Sequence, residues 1–341
     1  MRVALDGQLT VGTATGIGEY TRGLAAALPK QHVDVRLLRW PPLDPWRFDR
    51  RVFWDQVGLP LRAAAARADI LHCTSGTMPL FCPAPVVVTV HDVAWLRVQT
   101  HARPYARAYF GAFALSRYRH AQRIIVDSAF SRDELVALSG ISPGVISVVY
   151  PGVDADIMRV ERRPDDTPFV LAVGTVERRK NLGVVIRALA SVPRLRLISV
   201  GPATPYLQEC AQLARDAGVE ERVEFRGYVS RAELLDLYAR AAGAVVPSTY
   251  EGFGYAVAQA LCAGLPVVAA AAASLPEVAG GAATLVDPLD EEGWAVALRR
   301  FVADASVNEE AARGTRALAL ARFSWDRAAA ATADVYRSAL R

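Results

Sequence analysis

Short β-type runs recur along this 341-residue chain with helical stretches between most of them, and that alternation restricts the possible folds more than any other feature. The runs fall at residues 3–5, 33–38, 70–73, 86–90, 124–126 and 145–149. A second set falls at 169–173, 195–200, 223–225, 243–247, 265–270 and 283–286. Several are unbroken apolar segments, such as V-V-V-T-V at 86–90 and F-V-L-A-V at 169–173. A strand that is apolar on both faces is covered on both faces, which implies a parallel sheet between two layers of helices. In such sheets ligands sit at the carboxyl ends of the strands.

The pattern breaks between 150 and 168, where Pro, Asp and Arg dominate and periodicity disappears. The expected organisation is a first α/β domain at 1–150, a linker at 151–167, a second α/β domain at 168–322 and a closing amphipathic helix at 323–341. A length of 341 residues and a hydrophobic content of 52% suit two cores, with a cleft between two Rossmann-like domains as the favoured ligand site. Asp154 and Asp156 form a D-x-D pair in the linker; a solvated turn is the expected reading, and no metal site is assigned.

Composition narrows the partners. The net charge of +4 is spread along the chain without a basic run, so nucleic acid is not expected as a partner. Lys30 and Lys180 are the only lysines, which singles out Lys180 inside R-R-K. Cys73, Cys82, Cys210 and Cys262 show no metal spacing and read as reduced thiols. An acid at position 6 interrupts any signal-type apolar segment, and no apolar run reaches 18 residues. A cytoplasmic location is expected. Residues 101–120 interleave Arg with Tyr and Phe, which suits either contact with the inner face of an acidic membrane or packing on the sheet with extended arginines.

Two stretches carry the chemistry. At 248–268 a strand end is followed by E-G-F-G, a helix over 255–263, Gly264 as its left-handed cap and a new strand. Glu251 therefore stands just before a helix N-terminus, where the dipole favours a phosphate and the acid accepts hydrogen bonds from sugar hydroxyls. At the start of the chain, Gly12, Gly16 and Gly18 punctuate a loop before a helix carrying Ile17, Tyr20, Leu24 and Leu28. Its spacing is not G-x-G-x-x-G, which argues against a nicotinamide site. His91 and Asp92 follow the 86–90 strand at its carboxyl end. S-R-D-E at 131–134 and S-x-x-E at 230–233 read as capping boxes, the first placing a helix start near 132.

The motifs together resemble a known family. V-G-T-V-E-R-R-K-N-L at 173–182, G-Y-V at 227–229, P-S-T-Y-E-G-F-G at 247–254, the A-x-C-A-G-x-P-V-V rhythm that follows, and F-S-W-D-R-A-A at 323–329 are similar to those of retaining nucleotide-sugar glycosyltransferases. The chain resembles the fourth such family, with the two-Rossmann glycosyltransferase-B fold, and its mannosyltransferase-like branch. G-I-G-E-Y-T, V-H-D, V-D-S-A-F-S and Y-P-G-V-D extend the resemblance into the first half. It implies transfer of a hexose, with mannose from GDP-mannose the first expectation, to a saccharide or lipid-linked acceptor in surface polysaccharide or glycoconjugate synthesis. The alternatives are a UDP-sugar-dependent transferase and a non-catalytic nucleotide-sugar binder.

By position the resemblance assigns Glu251 to the donor sugar, Arg179 and Lys180 to the diphosphate, and His91 to the acceptor side near the reacting carbon. Gly174, Thr175, Gly227, Tyr228, Val229, Gly252, Phe253, Gly254 and Gln259 are the further donor positions, and Gly16, Gly18 and Asp92 the acceptor-side ones. Two departures stand out. Gln259 replaces the family's second glutamate, the ribose ligand, and Thr175 stands where an arginine is common. No metal or cofactor is implied, because two fixed cations can balance the charge that builds up on a departing diphosphate. The last helix is expected to cross back to the first domain.

Overall fold

The computed structural model describes residues 1–12, 16–98, 103–303 and 305–341, with side-chain surroundings given outside 304–311. Two compact units emerge: Met1–Gly152 together with Phe323–Arg341, and Val153–Arg322. Each is built on a six-stranded parallel sheet, so the two Rossmann-like domains expected from the alternation are present.

In the first unit the strands are β1 (Arg2–Asp6), β2 (Asp34–Leu38), β3 (Ile70–Cys73), β4 (Val86–Val90), β5 (Arg123–Val126) and β6 (Ile146–Val148). Their order is β2-β1-β3-β4-β5-β6, so the direction of winding reverses between β1 and β3. In the second unit they are β7 (Phe169–Val173), β8 (Arg196–Val200), β9 (Val223–Gly227), β10 (Gly243–Val246), β11 (Val267–Ala270) and β12 (Thr284–Val286). Here the order is β12-β11-β10-β7-β8-β9, with the reversal between β7 and β10. This is the dinucleotide-fold order, and the reversal opens a crevice at the carboxyl ends of those two strands. All five residues of V-V-V-T-V in β4 and all four of G-A-V-V in β10 are buried, as two-sided coverage demands.

The core of the first unit is completed by the end of the chain. The helix Trp325–Ala339 packs Ala329, Ala333 and Tyr336 against Val3, Leu5, Ile70 and Ile125. Trp325 sits tight against Gly23 and Gly152, where any Cβ would overlap it. Tyr336 reaches a histidine inside the sheet: its hydroxyl is 2.6 Å from Nδ1 of His72, whose Nε2 is 2.7 Å from Thr89. Burial, then the nearby charge of His91, pushes the His72 imidazole down from 6.5 to about 3, so it is neutral and one nitrogen accepts.

Several local expectations change. Gly16 opens the helix Gly16–Ala27 and Gly18 is buried in its first turn, so neither sits in a loop. The helix expected near 132 begins at Ala129, because Ser128 rather than Ser131 caps it, accepting from the Ser131 amide at 3.0 Å. Ser230 does cap its helix, Arg231–Arg240, through the Glu233 amide. Gly264 takes the left-handed conformation expected of it, at φ 77°. Past β12 the described residues form the helices Glu291–Ala303, Ala305–Arg322 and Trp325–Ala339, the last being the closing helix expected at 323–341.

The 151–167 segment is not a bare linker. Val153 and Ile157 are fully buried, a helical turn runs over Ala155–Met158, and Asp154 and Asp156 both bind Arg231. The D-x-D pair is thus an ion-pair anchor rather than a solvated turn. Of the 101–120 segment, 101 and 102 lie outside the described residues. The remainder forms Pro104–Arg107, a π-helical turn Ala108–Phe113 and Ala114–Tyr118. Cys73, Cys210 and Cys262 are buried and Cys82 partly so, all as free thiols.

Candidate functional site

The second unit concentrates charge at its winding reversal. β7 ends at Val173 and passes into Gly174 at φ 138°; a Cβ on Gly201, at the end of β8, would overlap the Gly174 carbonyl. Only glycines allow those two strand ends to approach so closely. The chain then makes a short 3-10 turn, Arg178–Lys180, and Asn181 in the left-handed region starts the helix Leu182–Leu189. From the other side of the reversal, β10 continues through Ser248 and Thr249. The Thr249 amide donates to the Arg179 carbonyl at 2.8 Å and ties the two loops together.

Glu251 lies where these loops meet. Lys180 Nζ donates to its Oε1 at 2.6 Å and Arg179 Nη1 to its Oε2 at 2.9 Å. Arg179 also donates to the Tyr250 carbonyl and pairs with Glu177 at 2.9 Å. The Glu251 backbone carbonyl accepts from buried Ser274 at 2.9 Å. Glu251 itself is 7% exposed. Burial would raise its carboxyl, but Lys180 and then Arg179 outweigh that and hold it at about 2, down from 4.5. The result is a carboxylate with two cations fixed on it before any ligand arrives. Gly252 and Phe253 are buried beside it, and Gly254, at φ 89° and tight against Leu275, leads into the helix Tyr255–Cys262.

The other donor positions divide. Gly174, Thr175 and Lys180 share the lining of a cavity of about 20 Å³ with Ser199 and Ser248. Gln259 is 6% exposed and its Oε1 accepts from the Tyr238 hydroxyl at 3.2 Å, so its carbonyl already has a partner. Gly227 closes β9 at φ 63°, with its carbonyl accepting from the Gly201 amide. Tyr228 next to it is exposed and Val229 half-buried.

In the first unit, His91 leaves the end of β4 with both ring nitrogens engaged. Nδ1 is 2.6 Å from Asp127 Oδ2 and Nε2 is 2.9 Å from the Thr74 carbonyl. Two acceptors favour the doubly protonated ring. Burial would lower its pKa, and the Asp127 carboxylate more than reverses this, so His91 titrates above its ordinary value. Tyr20 meets the imidazole edge-on at 4.8 Å. As placed, His91 joins the ends of β3, β4 and β5 through both ring nitrogens. Asp92 turns instead to the Ala94 amide, 2.9 Å away, and starts the short helix Ala94–Arg97.

Sequence reasoning did not single out Asp127, Glu177, Ser274 or Tyr238. Asp127 ends β5, the neighbour of β4, so the rule that selected His91 also points to it. Glu177 lies inside the 173–182 motif, two residues from its partner Arg179, whereas Ser274 and Tyr238 meet their partners only through the fold. Among the described residues no group of three or more His, Cys, Asp or Glu is placed to hold a metal, and no helix is long and apolar enough to cross a membrane.

Two Rossmann-like units in one chain, each on a six-stranded parallel sheet, agree with the glycosyltransferase-B fold. Matches to known families agree: residues 14–157 match Glycosyltransferase Family 4 and residues 153–317 match Glycosyl transferases group 1. The chain belongs to this family of glycosyltransferases.

Among its relatives is a D-inositol 3-phosphate glycosyltransferase of Xylanimonas cellulosilytica, 36% identical over 239 residues that cover 64% of this chain and 57% of that protein. A glycogen synthase of Mycobacterium tuberculosis is 33% identical over 280 residues, 76% of this chain and 65% of that one. The chain thus spans about three fifths of the length of these curated relatives. In fold it is similar to a sucrose-phosphate synthase of Thermosynechococcus elongatus, with TM-score 0.76, 22% identity and 98% of both chains covered. It is also similar to Anabaena HepE in complex with UDP and glucose, with TM-score 0.73, 21% identity, and 99% of this chain and 100% of that one covered.

Proposed function

We propose that the chain is a retaining hexosyltransferase that takes its sugar from a nucleoside diphosphate donor bound at the Glu251 cluster. The observation that carries this reading is the fixing of Lys180 and Arg179 on one buried carboxylate at the β7/β10 reversal. Breaking the anomeric bond leaves negative charge on a diphosphate. Two cations held in place beside a helix N-terminus stabilise that charge without reorganising. Glu251 keeps them apart and oriented, and its oxygens accept from sugar hydroxyls as the donor draws the cations toward its phosphates. The acceptor hydroxyl attacks from the face the diphosphate leaves, and a phosphate oxygen takes its proton. That route retains configuration and needs neither a covalent nucleophile nor a metal.

The E-R-R-K-N-L loop points to GDP-mannose as the donor. The complex of HepE with UDP and glucose supports a UDP-sugar as the second reading. The acceptor is a saccharide, free or lipid-linked, of the kind used in surface polysaccharide or glycoconjugate synthesis. In the lipid-linked case the protein acts in the cytoplasm at the inner face of the membrane. Gln259 offers its amide to the ribose in place of the usual carboxylate.

A thermal-shift panel of GDP-mannose, GDP, UDP-glucose and UDP, followed by turnover with the best donor, tests the reading. Lys180→Ala is expected to lower turnover at least a hundredfold, the loss of one charge-stabilising donor (~3 kcal/mol). The reading is wrong if no nucleotide sugar stabilises the protein, or if Lys180→Ala turns over at the wild-type rate.

A further inference from the structure

The first sheet has its own winding reversal, between β1 and β3, and a cavity of about 410 Å³ opens there within the first unit. Its floor comes from the strand ends. Ser75 follows β3 and donates to Asp6 at the end of β1 at 3.2 Å; Arg51 lies beneath, 4% exposed. Its walls are aromatic: Trp46, Phe48, Trp95, Tyr105 and Phe110. The rings support one another, with centroid separations of 4.6 Å for Phe48–Tyr105 and 5.2 Å for Trp95–Phe110. At the rim Trp46 and Tyr105 remain 58% and 46% exposed, an unusual cost for rings of that size.

The charge in the floor is already satisfied. Arg51 binds Asp55 at 2.9 Å, lies 3.7 Å from Asp6, and donates to Thr77 at 3.0 Å and to Ser75. Its charge is matched within the floor, and the other cation of the lining, Arg103, donates to the Tyr105 hydroxyl at 3.2 Å. Two wide helical turns frame this floor and wall, Trp54–Gly58 and Ala108–Phe113. They are joined through Tyr109, whose hydroxyl donates to Asp55 at 3.1 Å and accepts from Gln56 at 2.9 Å. Such π-helical turns are rare and cluster at functional sites. Two lining residues come from the segments that carry the acceptor-side histidine and its partner: Trp95 is four residues past His91, and Ser75 directly follows Thr74, whose carbonyl His91 bonds.

We propose that this cavity is the acceptor-aglycone subsite and that the acceptor is a hydroxyl compound with an apolar body, aryl or isoprenoid. The proposal rests on the transferase reading above and supplies its acceptor class. An apolar body displaces water from five rings, while Ser75 in the floor faces the hydroxyl-bearing part.

Binding of methyl, 4-nitrophenyl and octyl β-D-glucopyranoside to the full chain by calorimetry tests it. The 4-nitrophenyl or octyl compound is expected to bind at least tenfold more tightly than the methyl one. An advantage for both indicates an isoprenoid-type body; one for 4-nitrophenyl alone indicates an aryl body. Trp46→Ala and Tyr105→Ala alter exposed rings and leave folding intact, and each is expected to reduce the advantage at least threefold. Equal affinity of all three compounds, or an advantage untouched by both substitutions, overturns the proposal. Nucleoside diphosphate binding, measured in parallel, separates the two readings. Its absence alongside a persisting aryl or alkyl preference counts against the transferase reading and leaves the subsite standing.

Discussion

Replacing Glu251 with glutamine keeps its shape and removes its charge, which makes it the sharpest probe of the clamped cluster. The carboxyl is 7% exposed and is held at about 2, against an ordinary 4.5. A group depressed in the folded state stabilises that state above its unfolded pKa and loses this contribution as pH falls through its folded one. The shift corresponds to about 3 kcal/mol at pH 7, falling to about 2 kcal/mol by pH 3.5. Direct loss of one partner from a buried pair costs a similar amount, ~3–5 kcal/mol. Urea denaturation of wild type and Glu251→Gln at pH 7 and pH 3.5 reads both values. The expected result is a gap of about 3 kcal/mol that narrows by about a third in acid. A gap below 1 kcal/mol at pH 7, or one that widens on acidification, refutes the idea that Lys180 and Arg179 are held by a charged Glu251.

Two further outcomes are expected. Tyr336→Phe removes the hydroxyl that serves buried, neutral His72 and is expected to cost about 1–3 kcal/mol in urea denaturation; a change under 0.5 kcal/mol contradicts that bond. Asp127→Asn removes the main opposition to burial at His91, leaving only the Thr74 carbonyl and the Asp92 charge against it. The imidazole midpoint, followed by NMR, is expected to fall from its raised wild-type position, and an unchanged midpoint contradicts the pairing. In the wild type the stability owed to this pair is present below the unfolded pKa of His91 and is lost as pH rises through the raised folded value.

The twelve strands were legible because each is a local apolar signal, and all twelve form within a residue or two of the expected ends. Gly264 and Ser230 were legible for the same reason: the backbone need and the residue that meets it are adjacent. The Ser128 cap was not. Ser131 and Glu134 satisfy the same pattern three residues later, and a pattern cannot choose between two overlapping starts. The approach of Arg179 and Lys180 to Glu251 across some seventy residues was expected only through family likeness. Its physical cause, the β7/β10 reversal, is a property of strand order, which no local window contains. The aromatic cavity was missed because its rings come from three separated segments, and 101–120 on its own reads as a surface or packing helix.

The chain departs from its first unit after Gly152 and rejoins it only at Phe323. During synthesis this imposes a delay. At ribosomal speeds of 5–20 residues per second, β1–β6 wait roughly ten to forty seconds for the helix that covers Val3, Leu5, Ile70 and Ile125. The second unit is contiguous in sequence and is free to finish first. The half of the molecule made first is therefore the half completed last, and in the interval its bare sheet face is what a chaperone would find.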